Sequence, residues 1–197
     1  MAAIEELRRV RFQKLNNLKK AGKNPYPVKV HRVQPIVLAL ERFWLWRLTK
    51  KELGLAGRIR NVRVHGKAAF FDLEDGSGKI QCFISPADLS ARDGKNKNSY
   101  DEFIADFDIG DFTQVGGTLF KTKKGEKTIR VNSIKLITKS LLPLPEKWHG
   151  LKDIEERYRK RYLDLLMNPE VKTGFMIRSR IISELRKFFE NRGFTEF

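Results

Sequence analysis

Between Leu53 and Ser140 apolar residues return at every second position in a series of short runs, and the phase of each run sorts its side chains into an inner and an outer set. In KAAFFDLED the inner set is Ala69, Phe71 and Leu73, which turns Phe70 and Asp72 to the opposite side. In KIQCFI it is Ile80, Cys82 and Ile84, so Lys79, Gln81 and Phe83 share the outer face. Asp75-Gly76-Ser77-Gly78, rich in residues that tolerate positive φ, predicts a hairpin turn between these two strands and makes Gln81 a neighbour of Phe70. In LAGRIRNVRV the apolar phase runs Leu55, Gly57, Ile59 and then skips to Val62 and Val64. One extra residue near Asn61 predicts a β-bulge, after which Arg63 also points outward.

Two further strands are predicted at about Phe112 to Phe120 and Thr128 to Leu136, joined by Lys121 to Lys127 with Gly125 in the turn. Tyr100, Phe103, Ile104 and Phe107 follow the i, i+3, i+4, i+7 spacing of a helix that ends before Gly110, and Ser90 to Ser99 reads as a polar loop ahead of it. Five strands with a helix between the third and fourth define a mainly β fold with flanking helices, a five-stranded OB-type Greek-key barrel.

Outside the barrel the period changes. Ile4 to about Lys20 predicts a charged helix with an apolar stripe of Ile4, Leu7, Leu15 and Leu18, an appendage stopped by Gly22 and Asn24-Pro25-Tyr26-Pro27. Ile36 to Leu48 predicts a second helix whose tryptophans pack rather than bind ligand. After the stiff Leu142-Pro143-Leu144-Pro145 linker, Leu151, Ile154, Tyr158, Tyr162 and Leu165 form one helical face, crowded by Arg157, Arg159, Lys160 and Arg161. These cations are a solvated face or, beside a nucleic-acid module, phosphate contacts. Asn168 as cap, Pro169 at the first position and Glu170 in the first turn open a last helix that carries Phe175, Ile181, Ile182, Leu185, Phe188 and Phe189 and ends at Gly193. Phe194 to Phe197 begins a strand, and the chain reads as truncated there. The organisation expected is a helical extension over 1–52, the barrel over 53–140, a linker over 141–150, and the incomplete start of another domain over 151–197. The apolar stripes of that last part predict aggregation or dimerisation if it stands alone.

Charge narrows the function. The 197 residues contain 40 Lys and Arg against 24 Asp and Glu, a formal net charge of +16. Such an excess suits a polyanionic partner, because neutralising phosphates releases counterions. An acidic membrane surface is a weaker candidate for the basic stretch up to Gln34, whose apolar content is too modest for an anchor. No run is long and apolar enough to span a bilayer. The single cysteine, Cys82, belongs to an inner set and excludes an internal disulfide, which fits a reducing, cytoplasmic setting. Three widely separated histidines, without cysteines at ligand spacing, predict no metal site. What carries chemistry is the outer face itself. Arg63, Phe70, Gln81 and Phe83 each have a plain explanation alone, but together on one face of a basic barrel they can stack and read unpaired bases.

The segments NPYP at 24–27, LAGRI at 55–59, HGKAAFFDLEDGSGKIQ at 65–81, DIGD at 108–111, GTLFKTKKGE at 117–126 and KSLLPLPEKWHGLKDIEERYRKRYLDLLMNPEV at 139–171 resemble the bacterial-type class II lysyl-tRNA synthetases. The likeness runs over nearly the whole chain except Val33 to Lys51. The related aspartyl- and asparaginyl-tRNA synthetases share the barrel, but the N-terminal helix and LPEKWHGL favour the lysine enzymes. This resemblance implies that the barrel reads the anticodon of tRNA(Lys), with Arg63 and Phe70 holding the central uridine, Gln81 contacting the anticodon bases, and Glu126, from the last inter-strand loop, joining them. Glu126 rests on the resemblance alone; spacing makes it a solvated turn residue.

It also implies a cytoplasmic, homodimeric full-length enzyme that joins lysine to tRNA with ATP and Mg²⁺. The chain holds the opening of the family's first class II motif but neither the second and third motifs nor a lysine pocket, so no catalytic residue, cofactor or metal is expected in it. It is expected to bind tRNA and to be inactive as a ligase. The alternatives are a free-standing OB-fold nucleic-acid-binding module without ligase activity, a fragment of an aspartyl- or asparaginyl-type synthetase, or an assembly protein whose outward aromatics meet a protein partner.

Overall fold

The computed structural model describes residues 2–30, 33–90, 99–145 and 153–197, which fall into two compact units, Met1–Pro143 and Leu144–Phe197. The expected polar loop over 90–99 lies almost wholly outside the described residues, as does Leu151.

In the first unit, α1 (Ala2–Lys20), α2 (Ile36–Glu41) and α3 (Phe43–Leu48) precede β1 (Glu52–His65), β2 (Ala68–Glu74) and β3 (Lys79–Ile84). Then come α4 (Pro86–Ser90), α5 (Ser99–Asp106), β4 (Phe112–Lys121) and β5 (Lys127–Thr138). The five strands close into a barrel in the order β1-β2-β3-β5-β4, with β4 pairing back onto β1 and β3 running parallel to β5. This is the predicted OB architecture. The strand phases also hold. Ala69, Phe71, Leu73, Ile80, Cys82 and Ile84 are buried, and the pairing of β1 with β2 shifts by one residue between Ile59 and Asn61, where the skipped phase placed a bulge. Phe71 meets Phe103 of α5 with ring centroids 5.0 Å apart, so the helix plugs one end of the barrel.

The helical flanks depart from expectation in instructive ways. Only the second half of the α1 stripe is buried, through Leu15 and Leu18, while Ile4 and Leu7 stay exposed. Arg11 and Lys14 tie that half to the barrel. Arg11 donates to the carbonyls of Ile109, Ser140 and Leu142, and Lys14 Nζ lies 2.8 Å from Asp108. The single helix expected over 36–48 is two, α2 and α3, with Arg42 at ψ 17° between them. Trp46 packs as expected, but Trp44 is 57% exposed and its ring lies within 5.3 Å of the Arg47 guanidinium carbon and 5.4 Å of Lys121 Nζ.

The N-terminus of α2 is capped from a distance. Pro35 makes no side-chain cap, and instead the Asp75 carboxylate accepts from Ile36 N at 2.9 Å while Ser77 Oγ accepts from Val37 N at 3.0 Å. The same carboxylate accepts from the backbone of Ser77 and Gly78, so one side chain holds the β2–β3 turn and a helix end together. Burial raises the affinity of Asp75 for a proton, but a hydrogen bond from the Ser77 hydroxyl at 2.7 Å together with the backbone ones outweighs it, and the pKa is lowered. An acid whose pKa falls on folding contributes stability above the ordinary carboxylate range and loses it as the pH falls through the folded value. Asp75→Ala is expected to cost about 1–2 kcal/mol in urea denaturation. Asp75→Asn should flatten the acid limb of the stability profile relative to wild type.

In the second unit the helix expected from Leu151 onward is two helices, α6 (Ile154–Arg159) and α7 (Arg161–Met167), broken at Lys160 with φ −113° and ψ 49°. The buried Asp164 gathers the pieces, accepting from Arg157 Nε at 2.9 Å, from Arg161, and from Asn168 Nδ2 at 2.6 Å. Asn168 therefore does not cap α8 (Pro169–Glu190) with its side chain. Arg159 and Lys160 pair with Glu155 and Glu156, so every member of the basic cluster has an acidic partner within the unit. Phe175, Ile181, Ile182, Leu185, Phe188 and Phe189 lie exposed along α8, and the strand expected over Phe194 to Phe197 is irregular chain.

Candidate nucleic-acid interface

The barrel register builds the site. β1, β2, β3 and β5 are neighbours, and their pairing aligns Arg63 with Phe70, Phe70 with Phe83, and Phe83 with Arg130. Two residues further along each strand, on the same face, Asn61, Asp72, Gln81 and Thr128 form a second row. One row therefore offers rings between two cations, and the next offers hydrogen-bonding groups. Both outcomes follow from the alternation read in the sequence, since a one-residue slip would have sent these side chains into the core.

The loop between β4 and β5 completes an open groove of about 450 Å³, lined by Arg63, His65, Phe70, Gln81, Phe83 and Arg130 together with Phe120, Thr122, Lys123, Lys124 and Glu126. Arg63, Phe70, Gln81 and Phe83, read from the alternation, and Glu126, implied by the resemblance, are brought together there. Phe70 is half-buried, held edge-on by His65 at 6.4 Å and tilted against Phe83 at 5.0 Å. Packing on two sides holds the ring, which lines the groove. Arg63 pairs only loosely with Asp72, at 3.9 Å, so among the described residues no close ion pair takes up its N–H fork. Thr128 Oγ1 donates to Gln81 Oε1 at 3.0 Å, so the Gln81 carboxamide is oriented with its two N–H donors unengaged among the described residues. The Glu126 carboxylate likewise carries no hydrogen bond or ion pair there, while its backbone N–H and carbonyl are fixed by Thr122 and Gly125 turns the chain at φ +91°.

Phe120 and Arg130 are functional candidates that the sequence reading did not single out. Phe120 meets Phe83 at 6.0 Å, and the Arg130 guanidinium lies 5.0 Å from the Phe120 ring centroid. β4 reaches β5 here only because Gly117 has no side chain, since a Cβ at that position would stand 1.9 Å from the Arg130 carbonyl oxygen. The alternation of Leu119 with Phe120, and of Ile129 and Val131 with Arg130, carried the signal for both. Beneath the face, burial pushes the Cys82 thiol well above its ordinary pKa, with Asp72 adding to the effect, so Cys82 is a core residue and not a nucleophile. Among the described residues no three His, Cys, Asp or Glu side chains cluster closely enough to hold a metal ion, and no helix is long and apolar enough to cross a membrane.

A closed five-stranded barrel with stacking rings, oriented amide donors and a surplus of cations defines an OB-fold nucleic-acid-binding protein. Residues 54–137 match the family model for the OB-fold nucleic acid binding domain, and residues 153–197 match that for class II tRNA synthetases (D, K and N). The chain is 44% identical over 193 residues to the lysine–tRNA ligase of Carboxydothermus hydrogenoformans, covering 98% of this chain and 38% of that one. It is 44% identical over 196 residues to that of Moorella thermoacetica and 46% identical over 193 residues to that of Syntrophomonas wolfei. The Moorella alignment covers 100% of this chain and 38% of the relative, and the Syntrophomonas alignment 98% and 37%. Over nearly its whole length the chain is similar to lysine–tRNA ligases, and it spans a little over a third of the length of these relatives.

Proposed function

We propose that the barrel is the anticodon-binding part of a lysine–tRNA ligase and that the groove between Arg63 and Glu126 holds the anticodon loop of tRNA(Lys). The observation that carries this reading is the convergence of Arg63, Phe70, Gln81 and Glu126 on one groove of a basic barrel. Phe70 supplies a stacking face, Arg63 a bidentate donor, Gln81 two amide donors for base acceptors, and Glu126 an acceptor for a base N–H. Such a combination suits uridine-rich loops, because uracil offers carbonyl acceptors on either side of an N–H donor.

The longer protein activates lysine with ATP and Mg²⁺ and transfers it to the tRNA, as a cytoplasmic homodimer. The 197 residues supply tRNA discrimination and no adenylate chemistry. Lysine-dependent pyrophosphate exchange by the purified chain would overturn that last statement. In this reading 1–52 is a helical extension, 53–140 the anticodon domain, and 151–197 the entry to the catalytic domain.

The direct test is titration of the chain against stem-loops that carry the lysine anticodon or unrelated ones. Binding should favour the lysine stem-loop and weaken steeply as salt rises. Equal affinity for all stem-loops would sink the assignment. Gln81→Ala should lower affinity for the lysine stem-loop modestly and reduce the ratio between lysine and unrelated stem-loops by about tenfold, because base-edge contacts specify while phosphate contacts position.

A further inference from the structure

The row of residues across the barrel is a repeated unit. Reading from β1 to β5 it runs Arg63, Phe70, Phe83, Arg130, an arginine and a ring followed by a ring and an arginine. Adjacent strands lie about 4.8 Å apart, so the backbones at the two ends of the row are separated by roughly three such spacings, more than one base covers. The first pair is the site proposed above for a single nucleotide. The second pair is built at least as firmly. Phe83 is held between Phe70 at 5.0 Å and Phe120 at 6.0 Å. The Arg130 guanidinium lies over Phe120 and is drawn by the Asp88 carboxylate at 3.9 Å. Asp88 is itself fixed by the Ser85 hydroxyl at 2.7 Å.

A guanidinium backed by a ring and tethered by a distant carboxylate has a defined plane, and among the described residues no close ion pair consumes its N–H groups. The side chain is 53% exposed and opens into the same groove, where Lys123 and Lys124 are also found. Planes of this kind stack unpaired bases and donate to their edges.

We propose that Phe83 and Arg130 form a second nucleotide position, which takes the base adjacent in the RNA loop to the one stacked on Phe70, with Asp88 and Phe120 as positioning residues. The proposal rests on the anticodon-loop reading above and adds to it a residue pair and a direction along the strand. The chain path runs across the barrel from β1 toward β5, and the lysines of the β4–β5 loop meet the phosphate between the two bases.

The test uses the full chain and a set of lysine-anticodon stem-loops, each made abasic at one loop position. On the intact stem-loop Arg130→Ala should weaken binding by about tenfold. Arg130→Lys, which keeps the charge and loses the plane, should lose nearly as much. One abasic stem-loop should be insensitive to Arg130→Ala yet still sensitive to Phe70→Ala, and the neighbouring abasic position should show the reverse. Thermal melts that match wild type establish that the variants fold. The proposal is overturned if Arg130→Ala leaves binding unchanged, if Arg130→Lys restores it fully, or if both variants are silenced by the same abasic position. A uniform loss across every abasic probe also overturns it, since that marks a phosphate contact. If wild type shows no preference for the lysine stem-loop, or Phe70→Ala has no effect on it, the parent reading fails as well; loss at Phe70 alone removes only the second position.

Discussion

Lys139→Met is expected to lower the stability of the barrel unit by about 3–5 kcal/mol at neutral pH, because it strands a buried carboxylate. Lys139 is almost fully buried, and its ammonium donates to Asp111 at 2.8 Å, to Asp108 at 2.5 Å and to the Asp106 carbonyl at 2.6 Å. Asp111, also buried, accepts in addition from the backbone of Asp108 and Ser140. The cluster closes the α5–β4 connection onto the end of β5, and Lys14 of α1 reaches the same Asp108. The two acids answer differently to pH. Burial raises Asp111 and is only partly offset by Lys139, whereas for Asp108 the hydrogen bonds from Lys139 and Lys14 outweigh burial and lower the pKa. For Asp111, a pKa above its unfolded value means that the native state binds more protons, so its contribution declines as the pH rises through the carboxylate range. Removing the ammonium steepens that decline. Urea denaturation should therefore show Lys139→Met most destabilised near neutrality and partly recovered at acid pH, and Lys139→Met with Asp111→Asn should regain part of the loss. A Lys139→Met profile parallel to wild type at every pH would refute the account.

That cluster was invisible in the sequence, although the DIGD segment stood out as part of a family likeness. Lys139 and Asp111 are 28 residues apart, and nothing in the alternation of strands says which polar residues will be enclosed when a barrel closes. The strand phases, by contrast, were legible down to the bulge near Asn61, because an amphipathic strand has only two ways to face. The same logic placed Phe70, Gln81 and Phe83 on the outer face and Cys82 within. It stopped short of Phe120 and Arg130, whose meaning lies in a neighbour on another strand. Helical periodicity was less informative at the flanks. It gave helices around 36–48 and 151–165 but not their breaks, which lie at Arg42 and Lys160. Asn168 looked like a cap by residue type, yet its amide is taken by Asp164, a tertiary demand that local preference does not contain. Trp44 was expected to pack because tryptophans usually do, but α3 turns Trp46 inward and leaves Trp44 to two cations.

Phe70→Ala is expected to weaken binding of the lysine-anticodon stem-loop by about 1–3 kcal/mol, roughly 5- to 150-fold in Kd, with little change in the melting of the barrel. The ring points away from the core set of Ala69 and Phe71, which are fully buried, so truncating it opens no cavity inside the barrel. Its loss does remove the contacts with Phe83 and His65, but Phe83 remains supported by Phe120 and His65 is already exposed. On the proposed reading, binding loses the stacking surface in the groove, and Arg63 and Gln81 lose the plane against which a base would be held for them to read. The loss should depend little on salt, because a stacking contact neutralises no phosphate, whereas substitution of Lys123 or Lys124 should flatten the salt dependence. Phe70→Trp, which keeps an aromatic face, should retain most of the affinity. If Phe70→Ala bound as tightly as wild type, or if Phe70→Leu matched Phe70→Trp, the ring would be packing and not recognition, and the groove would have to be read through its charges alone.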